Sequence, residues 1–418
     1  MVTKISEELQ RRGFIHQHTG ESAAAVLDEQ SRTVYLGVDP TADSIHVGHL
    51  AIWMFLKHLN QAGHRIIFLA GGGTGRIGDP KPDAERELLD EDTIDANVAA
   101  ISKQAERLIA TDDNTVVFAN NAEWLTELKL IDFLRDIGKH FTVNELIKKD
   151  AIASRLQTDT GLSYTEFAYP LLQGYDYLEL HKAHGCDVQV GGSDQWGNIV
   201  AGVDLVRRKA RAEVHAVTVP LVIDKATGKK FGKSEGNAVW LDADKTSPYA
   251  FYQFWLNASD ESVIDYLKLY TFLSLEEIAS LEQQHAADPA QRIAQRALAE
   301  AVTAFVHGHT ASEQVVRVLE VLFGGRSIAE LSEAEIALLT SNAPTTTVAD
   351  GTPLVDTLVE AELASSKREA RTFIESGAIY MNGDRVESLE AVVDVATQGK
   401  HLLLRRGKKQ YAVIVLQQ

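Results

Sequence analysis

The stretch Tyr35–Leu50, YLGVDPTADSIHVGHL, constrains the fold more than any other part of this chain. It leaves an apolar run at Thr33–Val38, passes a turn carrying Asp39, Pro40 and Ser44, and enters an apolar helix predicted over Val47–Leu59. A second apolar run, HRIIFLA at His64–Ala70, follows that helix. Short apolar runs joined through a helix read as parallel strands covered on both faces, the unit of a doubly wound sheet. Such sheets bind ligands beyond the carboxyl ends of their strands. At that end this chain places His46, Gly48 and His49. A helix N-terminus favours anions, because its first N–H groups lack partners and its dipole is positive there. Two imidazoles add donors to the same point, so a nucleotide phosphate is the expected occupant.

Further strands are expected at Thr115–Ala119, Asp187–Val190 and Val217–Ile223, and residues 4–30 read as helical. Glu123–His184 is helix-rich and interrupts the sheet. Past Lys233 the pattern turns helical, Ser341–Pro353 (SNAPTTTVADGTP) reads as a turn-rich linker, and the end of the chain is helical through Glu375 and then β-like. With 418 residues, 45% of them hydrophobic, two to four domains are expected. Cys186 stands alone, which excludes an internal disulfide or a multi-cysteine zinc cluster and suits a reducing compartment. Neither a signal-peptide core nor a membrane-length apolar segment is found, so a soluble cytoplasmic protein is expected. The net charge of −18 argues against a general nucleic-acid binder. Basic clusters at Arg207, Arg208, Lys209 and Arg211, and at Lys400, Arg405, Arg406, Lys408 and Lys409, are solvated faces or local RNA contacts.

Three motifs carry candidate chemistry. The loop Gly71–Gly78 contains a formal G-x-G-x-x-G, but Asp79, Pro80 and Pro82 follow at once and no helix can open there. A dinucleotide fingerprint is therefore disfavoured. A tight loop that presents Asp79 to a cationic group, such as an amine, fits better. In His46-Val47-Gly48-His49 the glycine costs helix stability, which makes sense if something flat, such as a purine, packs against the backbone. Lys229-Lys230-Phe231-Gly232-Lys233-Ser234 offers lysines on a glycine-bearing loop, able to neutralise a leaving pyrophosphate.

These last two motifs resemble the HIGH and KMSKS signatures of class I aminoacyl-tRNA synthetases. YLGVDPTADSIHVGHL, GGGTGRIGDP, YTEFAYPLLQGYD, VQVGGSDQWGNI and KKFGKSEG together resemble bacterial-type tyrosyl-tRNA synthetases, in order from about Glu8 to the C-terminus. SSKREARTFIESGAIYMNGDRV is similar to the S4-like RNA-binding domain of that family. The resemblance implies an α/β fold with a Rossmann-like doubly wound parallel sheet as catalytic domain at 1–235, its helical insertion at about 123–186 forming a dimer contact. It implies an α-helical anticodon-side domain at 236–340, a linker at 341–352 and a small α+β S4-like domain at 353–418.

By the same resemblance, L-tyrosine is activated with ATP and Mg²⁺, and tyrosyl is then transferred to tRNA(Tyr) by a homodimer. Thr41 and His46 are expected at the γ-phosphate, with Gly48 and His49 on the adenine–ribose side. Lys230, Lys233 and Ser234 are expected over the β,γ-phosphates, and Gly37, Asp39, Gly192 and Asp194 at the nucleotide. Asp79, Tyr169 and Gln173 match the ammonium set, Gln195 lies near the carboxylate, and Tyr35 with Asp176 matches the pair that bonds the phenol. Tyr169, Gln173 and Asp176 share one helix face at i, i+4, i+7, a pattern that an ordinary half-polar face also shows. Lys148, Lys149 and Arg155 are offered near the acceptor end. Two positions depart from the family pattern: Leu36 stands where a small ribose-contacting residue is common, and Asp83 where a lysine is frequent. Lys81 or Arg86 is left to supply that charge. Competing readings are a tryptophanyl synthetase, a small adenylyltransferase, and an RNA-binding protein that has lost catalysis. Indole has no hydroxyl for Tyr35 and Asp176, and the second reading leaves the C-terminal extension unexplained.

Overall fold

Six strands form the first sheet in a computed structural model of the chain: β1 (Gln17–His18), β2 (Thr33–Val38), β3 (Arg65–Ala70), β4 (Val116–Asn120), β5 (Val188–Gly192) and β6 (His215–Val219). The structure describes residues 4–80, 88–157, 161–228, 231–234, 237–407 and 410–417. The strand order is β1-β6-β5-β2-β3-β4, parallel throughout except for edge strand β1. Strand β2 therefore lies between β3, next in the chain, and β5, which returns only after the helical insertion. At this reversal the connections leave in opposite directions, and a crevice opens at the carboxyl ends of β2 and β5. Within β2, Val34, Tyr35 and Leu36 are buried, while Gly37 at its carboxyl end is exposed although the strand is central. Tyr35 pairs in register with Ile67 on one side and Gln189 on the other.

The doubly wound parallel sheet expected from the apolar runs is present, with some shifted elements. Residues 4–30 are not one helix. Gly13, at φ 88°, ends Ile5–Arg12, and Ala23–Leu27 forms a separate short helix after β1. A left-handed residue terminates a helix, and glycine adopts it without a Cβ penalty. Strand β6 ends at Val219, before Pro220, so the expected Val217–Ile223 is displaced. Between β4 and β5 run helices Ala122–Leu125, Leu130–Asp136, Val143–Leu146, Asp150–Arg155 and Tyr164–His184. Ser163 and Glu166 form a capping box at the start of the last, and Gly185 closes it in the left-handed region.

The backbone divides into two compact units, Met1–Lys245 with Asn257–Leu298, and Thr246–Leu256 with Ala299–Gln418. The helical region expected as its own domain is thus shared between them. Within the second unit, Leu403 and Val413 of the C-terminal sheet cluster with Val318, Val321, Leu322, Ile328 and Leu339. The expected linker is also corrected. Thr345–Ala349 is a strand, paired in parallel with Gln410–Gln417 at the edge of a five-stranded sheet. Its β-branched TTTV favours a strand. The flanking Pro344 and Asp350-Gly351 turn residues hide that, because its partner lies some 65 residues later in the chain.

Arg155 is a further correction. Its guanidinium pairs with Glu166 at 2.9 Å, both side chains are 2% exposed, and it donates to the Gly161 carbonyl. A cation held in this way is not offered to an RNA end. Removing one partner of a buried pair leaves an uncompensated charge and costs about 3–5 kcal/mol. Arg155→Met is therefore expected to lower the thermal unfolding midpoint of the full chain markedly, as measured by calorimetry. An unchanged midpoint would contradict this role of the pair.

Candidate active site

Helix Val47–Gln61 starts at the crevice, with His46 as its N-cap. The His46 ring Nδ1 accepts the Gly48 N–H at 3.1 Å, which places the neutral imidazole's proton on Nε2. His49 lies one turn on, its ring centroid 4.2 Å from that of His46. Trp240 meets His46 edge-on, and Val47 N–H donates to the Val239 carbonyl at 2.9 Å. These contacts tie the helix start to the chain just after the lysine loop.

The approach there is very close. A Cβ on Gly48 would lie 2.9 Å from the Phe231 carbonyl oxygen and 2.8 Å from the His46 ring. Gly232, at φ 101°, would bring a Cβ within 2.6 Å of the Gly48 nitrogen. Backbone thus meets backbone where the two motifs touch, and protein atoms fill the space beside Gly48 that was expected for a purine. Phe231 is seated against Tyr266 and Tyr270, with ring centroids 4.4 and 5.7 Å apart. Lys233–Ser234 forms a short strand with Asn237–Ala238. Lys230, Lys81, Asp83 and Arg86 lie outside the described residues, as do the side chains of Lys233 and Ser234.

Deeper in the crevice, Asp176 is 2% exposed on helix Tyr164–His184. Asn121 Nδ2 donates to one of its oxygens at 2.9 Å and Trp124 Nε1 to the other at 2.8 Å. Burial pushes its carboxyl up to about 7, against those two bonds, and Asp39 adds to the rise. Tyr35 is 1% exposed, packs edge-on to Tyr177 at 5.1 Å, and its hydroxyl has no hydrogen-bond partner. Burial, and next the Asp176 charge, hold that phenol far above its ordinary range. Gln173 Oε1 and Gln189 Oε1 are likewise buried and unpaired. A buried polar group without a partner costs about 1–3 kcal/mol.

Tyr169 donates its hydroxyl to Asp39 at 2.8 Å, and Thr74 donates to the other Asp39 oxygen at 2.7 Å. Asp79 accepts from Gln195 at 3.0 Å and from Asn198 at 3.4 Å. Lys149 reaches this group through Asn198 Oδ1 at 3.1 Å and the Gly197 carbonyl at 2.6 Å, and burial lowers its ammonium to about 8. Thr41 and Asp194 are exposed at the mouth of the crevice, and Gly192 ends β5. Tyr35, Asp39, Tyr169, Gln173 and Asp176 thus gather around one crevice, with Asp79 and Gln195 bonded to each other. Asn121, Trp124, Thr74, Asn198 and Gln189 escaped the sequence reading. The paired asparagines at the carboxyl end of β4 were a signal, since polar residues there face a ligand crevice.

A family model described as class I tRNA synthetases (W and Y) matches residues 27–324. The chain belongs to the class I tRNA synthetases. A second model, the tyrosine–tRNA ligase SYY-like C-terminal domain, matches residues 335–414, so that domain begins before the expected boundary at 353. The synthetase is 49% identical to tyrosine–tRNA ligase 2 of Enterococcus faecalis over 422 residues, covering 99% of this chain and 100% of that one. It is 48% identical to the tyrosine–tRNA ligase of Lactococcus lactis subsp. lactis, covering 98% and 99%. Among solved structures, a C-terminally truncated mitochondrial tyrosyl-tRNA synthetase from Aspergillus nidulans superposes with TM-score 0.69 at 32% identity, covering 77% of this chain and 94% of that one. A tryptophanyl-tRNA synthetase from Encephalitozoon cuniculi bound to tryptophan shares the fold, at TM-score 0.55 and 14% identity, covering 74% and 89%. The relatives of high identity place the synthetase among the tyrosine–tRNA ligases.

The Gly48–Phe231 approach gives a direct test. Gly48→Ala must push the Phe231 carbonyl or the His46 ring aside, and displacements near 1 Å can cost about 10²-fold in rate. ATP–pyrophosphate exchange by this variant should fall to that extent with little change in folding by circular dichroism. A rate within twofold of the parent would refute the steric argument.

Proposed function

We propose that the synthetase activates L-tyrosine with ATP to tyrosyl-adenylate and pyrophosphate, then transfers the tyrosyl group to the 3′-terminal adenosine of tRNA(Tyr). The observation that carries this reading is the buried pair Tyr35 and Asp176. One offers a hydroxyl without a partner, and the other a carboxylate held by two donors at the closed end of the crevice. A substrate phenol completes both: it donates to Asp176 and accepts from Tyr35. Phenylalanine would leave the Tyr35 hydroxyl buried without a partner and bring the buried Asp176 carboxylate no further donor. A site built to bond a substrate hydroxyl rejects the analogue lacking it by about 10⁴–10⁵, and tyrosyl enzymes of this family are themselves the type example of that figure. Indole offers no such hydroxyl, which separates this reading from a tryptophanyl one.

The ammonium group is held by Asp79, Tyr169 and Gln173, and Gln195 orients the substrate carboxylate. That carboxylate attacks the α-phosphate in line, the bond from the α-phosphorus to the bridging oxygen breaks, and pyrophosphate carries the charge away. A carboxylate is already a nucleophile and needs no base, so catalysis rests on position and charge stabilisation. Thr41 and His46 contact the γ-phosphate, His46 through its Nε2–H. Gly48 and His49 line the adenine–ribose side, and Gly37, Asp39, Gly192 and Asp194 contact the nucleotide. Lys230, Lys233 and Ser234 serve the β,γ-phosphates. Among the described residues no three His, Cys, Asp or Glu side chains could hold a metal together. Mg²⁺ accordingly enters with ATP, held by phosphates and water.

We read the synthetase as a cytoplasmic homodimer that binds tRNA in part through its C-terminal domain. Leu130, Ile131, Val143 and Tyr164 are 61–71% exposed on the helical insertion, an apolar face that supports a partner subunit there. No described helix is long and apolar enough to cross a membrane.

The raised carboxyl of Asp176 sets a pH dependence. The form that accepts the phenol proton is the carboxylate, so kcat/KM for tyrosine in pyrophosphate exchange should rise with pH through about 7 with a one-proton slope. The Asp176→Ala variant should lose most tyrosine activation and much of its preference over phenylalanine. Parent-like exchange with both amino acids in that variant would sink the assignment.

A further inference from the structure

We propose that Thr74 is a positioning residue that fixes the two carboxylates at opposite ends of the tyrosine site, Asp176 and Asp39, through a single hydrogen-bonded chain with Asn121. The inference rests on the functional reading above and adds a residue to it. The chain runs from Asp176 Oδ2 to Asn121 Nδ2 at 2.9 Å, from Asn121 Nδ2 to Thr74 Oγ1 at 2.9 Å, and from Thr74 Oγ1 to Asp39 Oδ1 at 2.7 Å. Tyr169 closes it on the second Asp39 oxygen. Asn121 is 1% exposed and Thr74 2%, so water does not compete for the Asn121 bonds to Thr74 and Asp176, while the Asp39 end is half-buried.

The direction of every proton in the chain is determined. Asn121 Oδ1 accepts from the Gly73 N–H at 2.7 Å and the Thr74 N–H at 3.4 Å, which fixes the amide with its nitrogen towards Thr74 and Asp176. One amide hydrogen goes to the Thr74 oxygen and the other to Asp176. Thr74 already accepts, so its own hydrogen is directed to Asp39. A hydroxyl that accepts from one side and donates to the other is the one arrangement in which the amide and Asp39 are both satisfied. Valine has the same shape and neither function.

The glycine loop makes room for this chain. A Cβ on Gly71 would stand 2.2 Å from Asp39 Oδ1 and 2.6 Å from Thr74 Oγ1, on top of the bond between them. A Cβ on Gly72 would lie 2.3 Å from Asn120 Oδ1, and one on Gly73 3.0 Å from Leu125 and 3.2 Å from Asn121 Oδ1. The glycines clear space for side chains of this same molecule. That explains a glycine motif that opens no regular α-helix.

The test compares Thr74→Val with Thr74→Ser in the full-length protein by ATP–pyrophosphate exchange, using tyrosine, phenylalanine and varied ATP. Tyrosine-dependent exchange by the parent tests the functional reading by itself, and the variants then test the relay. Thr74→Val should raise KM for tyrosine by about 10- to 100-fold and narrow the tyrosine-to-phenylalanine ratio, while Thr74→Ser restores both. The low-pH limb of kcat/KM should also move upward in Thr74→Val, because Asn121, without the Thr74 oxygen to accept one amide hydrogen, holds the Asp176 carboxylate less well. Of the other groups facing that carboxylate, Trp124, Tyr35, Tyr169 and Tyr175 keep their side chains and Asp39 loses its Thr74 donor. Parent-like KM, ratio and pH limb in Thr74→Val would overturn the proposal. If Thr74→Val does not fold, Thr74→Ala is measured the same way. Loss of kcat alone in either variant, with KM and selectivity intact, also overturns it.

Discussion

Much of the catalytic unit is arranged around one buried charge. A carboxylate at 2% exposure, far from bulk water, is costly to ionise unless donors surround it. Asn121 and Trp124 meet that need, and both come from the segment at and just after β4, across the crevice from the helix that carries Asp176. The position of the helical insertion is thereby tied to the sheet. A protein that must bond a phenol in a closed pocket accepts this cost because a carboxylate is the strongest acceptor it can offer.

In the proposed reading, selection of the substrate falls within β2 and chemistry just beyond its carboxyl end. Tyr35, within the strand, faces the closed end with its hydroxyl unpaired. Asp39, immediately after the strand, lies at the open end, and the His46 cap follows one turn later. The rise of a strand, about 3.3 Å per residue, sets the spacing between them. In that reading, a substrate that reaches from Tyr35 to the mouth of the crevice would present its own carboxylate near the helix N-terminus.

Most of this was legible before any coordinates. The apolar runs and the helix between them define parallel strands, but Gly48 was read as room for a purine, whereas the space beside it is taken by the Phe231 carbonyl and the His46 ring. Asn121 and Thr74 were not legible in role, because each acts through partners 35 to 55 residues away that only the sheet brings together. The strand Thr345–Ala349 was misread for a similar reason: its turn-rich flanks are local, and its pairing is not. Arg155 looked like one more surface cation, since its partner Glu166 lies beyond an intervening turn.

That misread strand has a consequence for how the chain can be divided. Thr345–Ala349 pairs along Val413–Gln417 and contributes Val348, 4% exposed, to the core of the C-terminal unit. A fragment starting at Pro353 would lose both, and would leave its longest strand as a bare edge with Val413, Ile414 and Val415 in sequence. Open edges of that kind recruit other chains. The end of this protein is therefore folded by residues that precede it, and self-association would be the mark of cutting it in the wrong place.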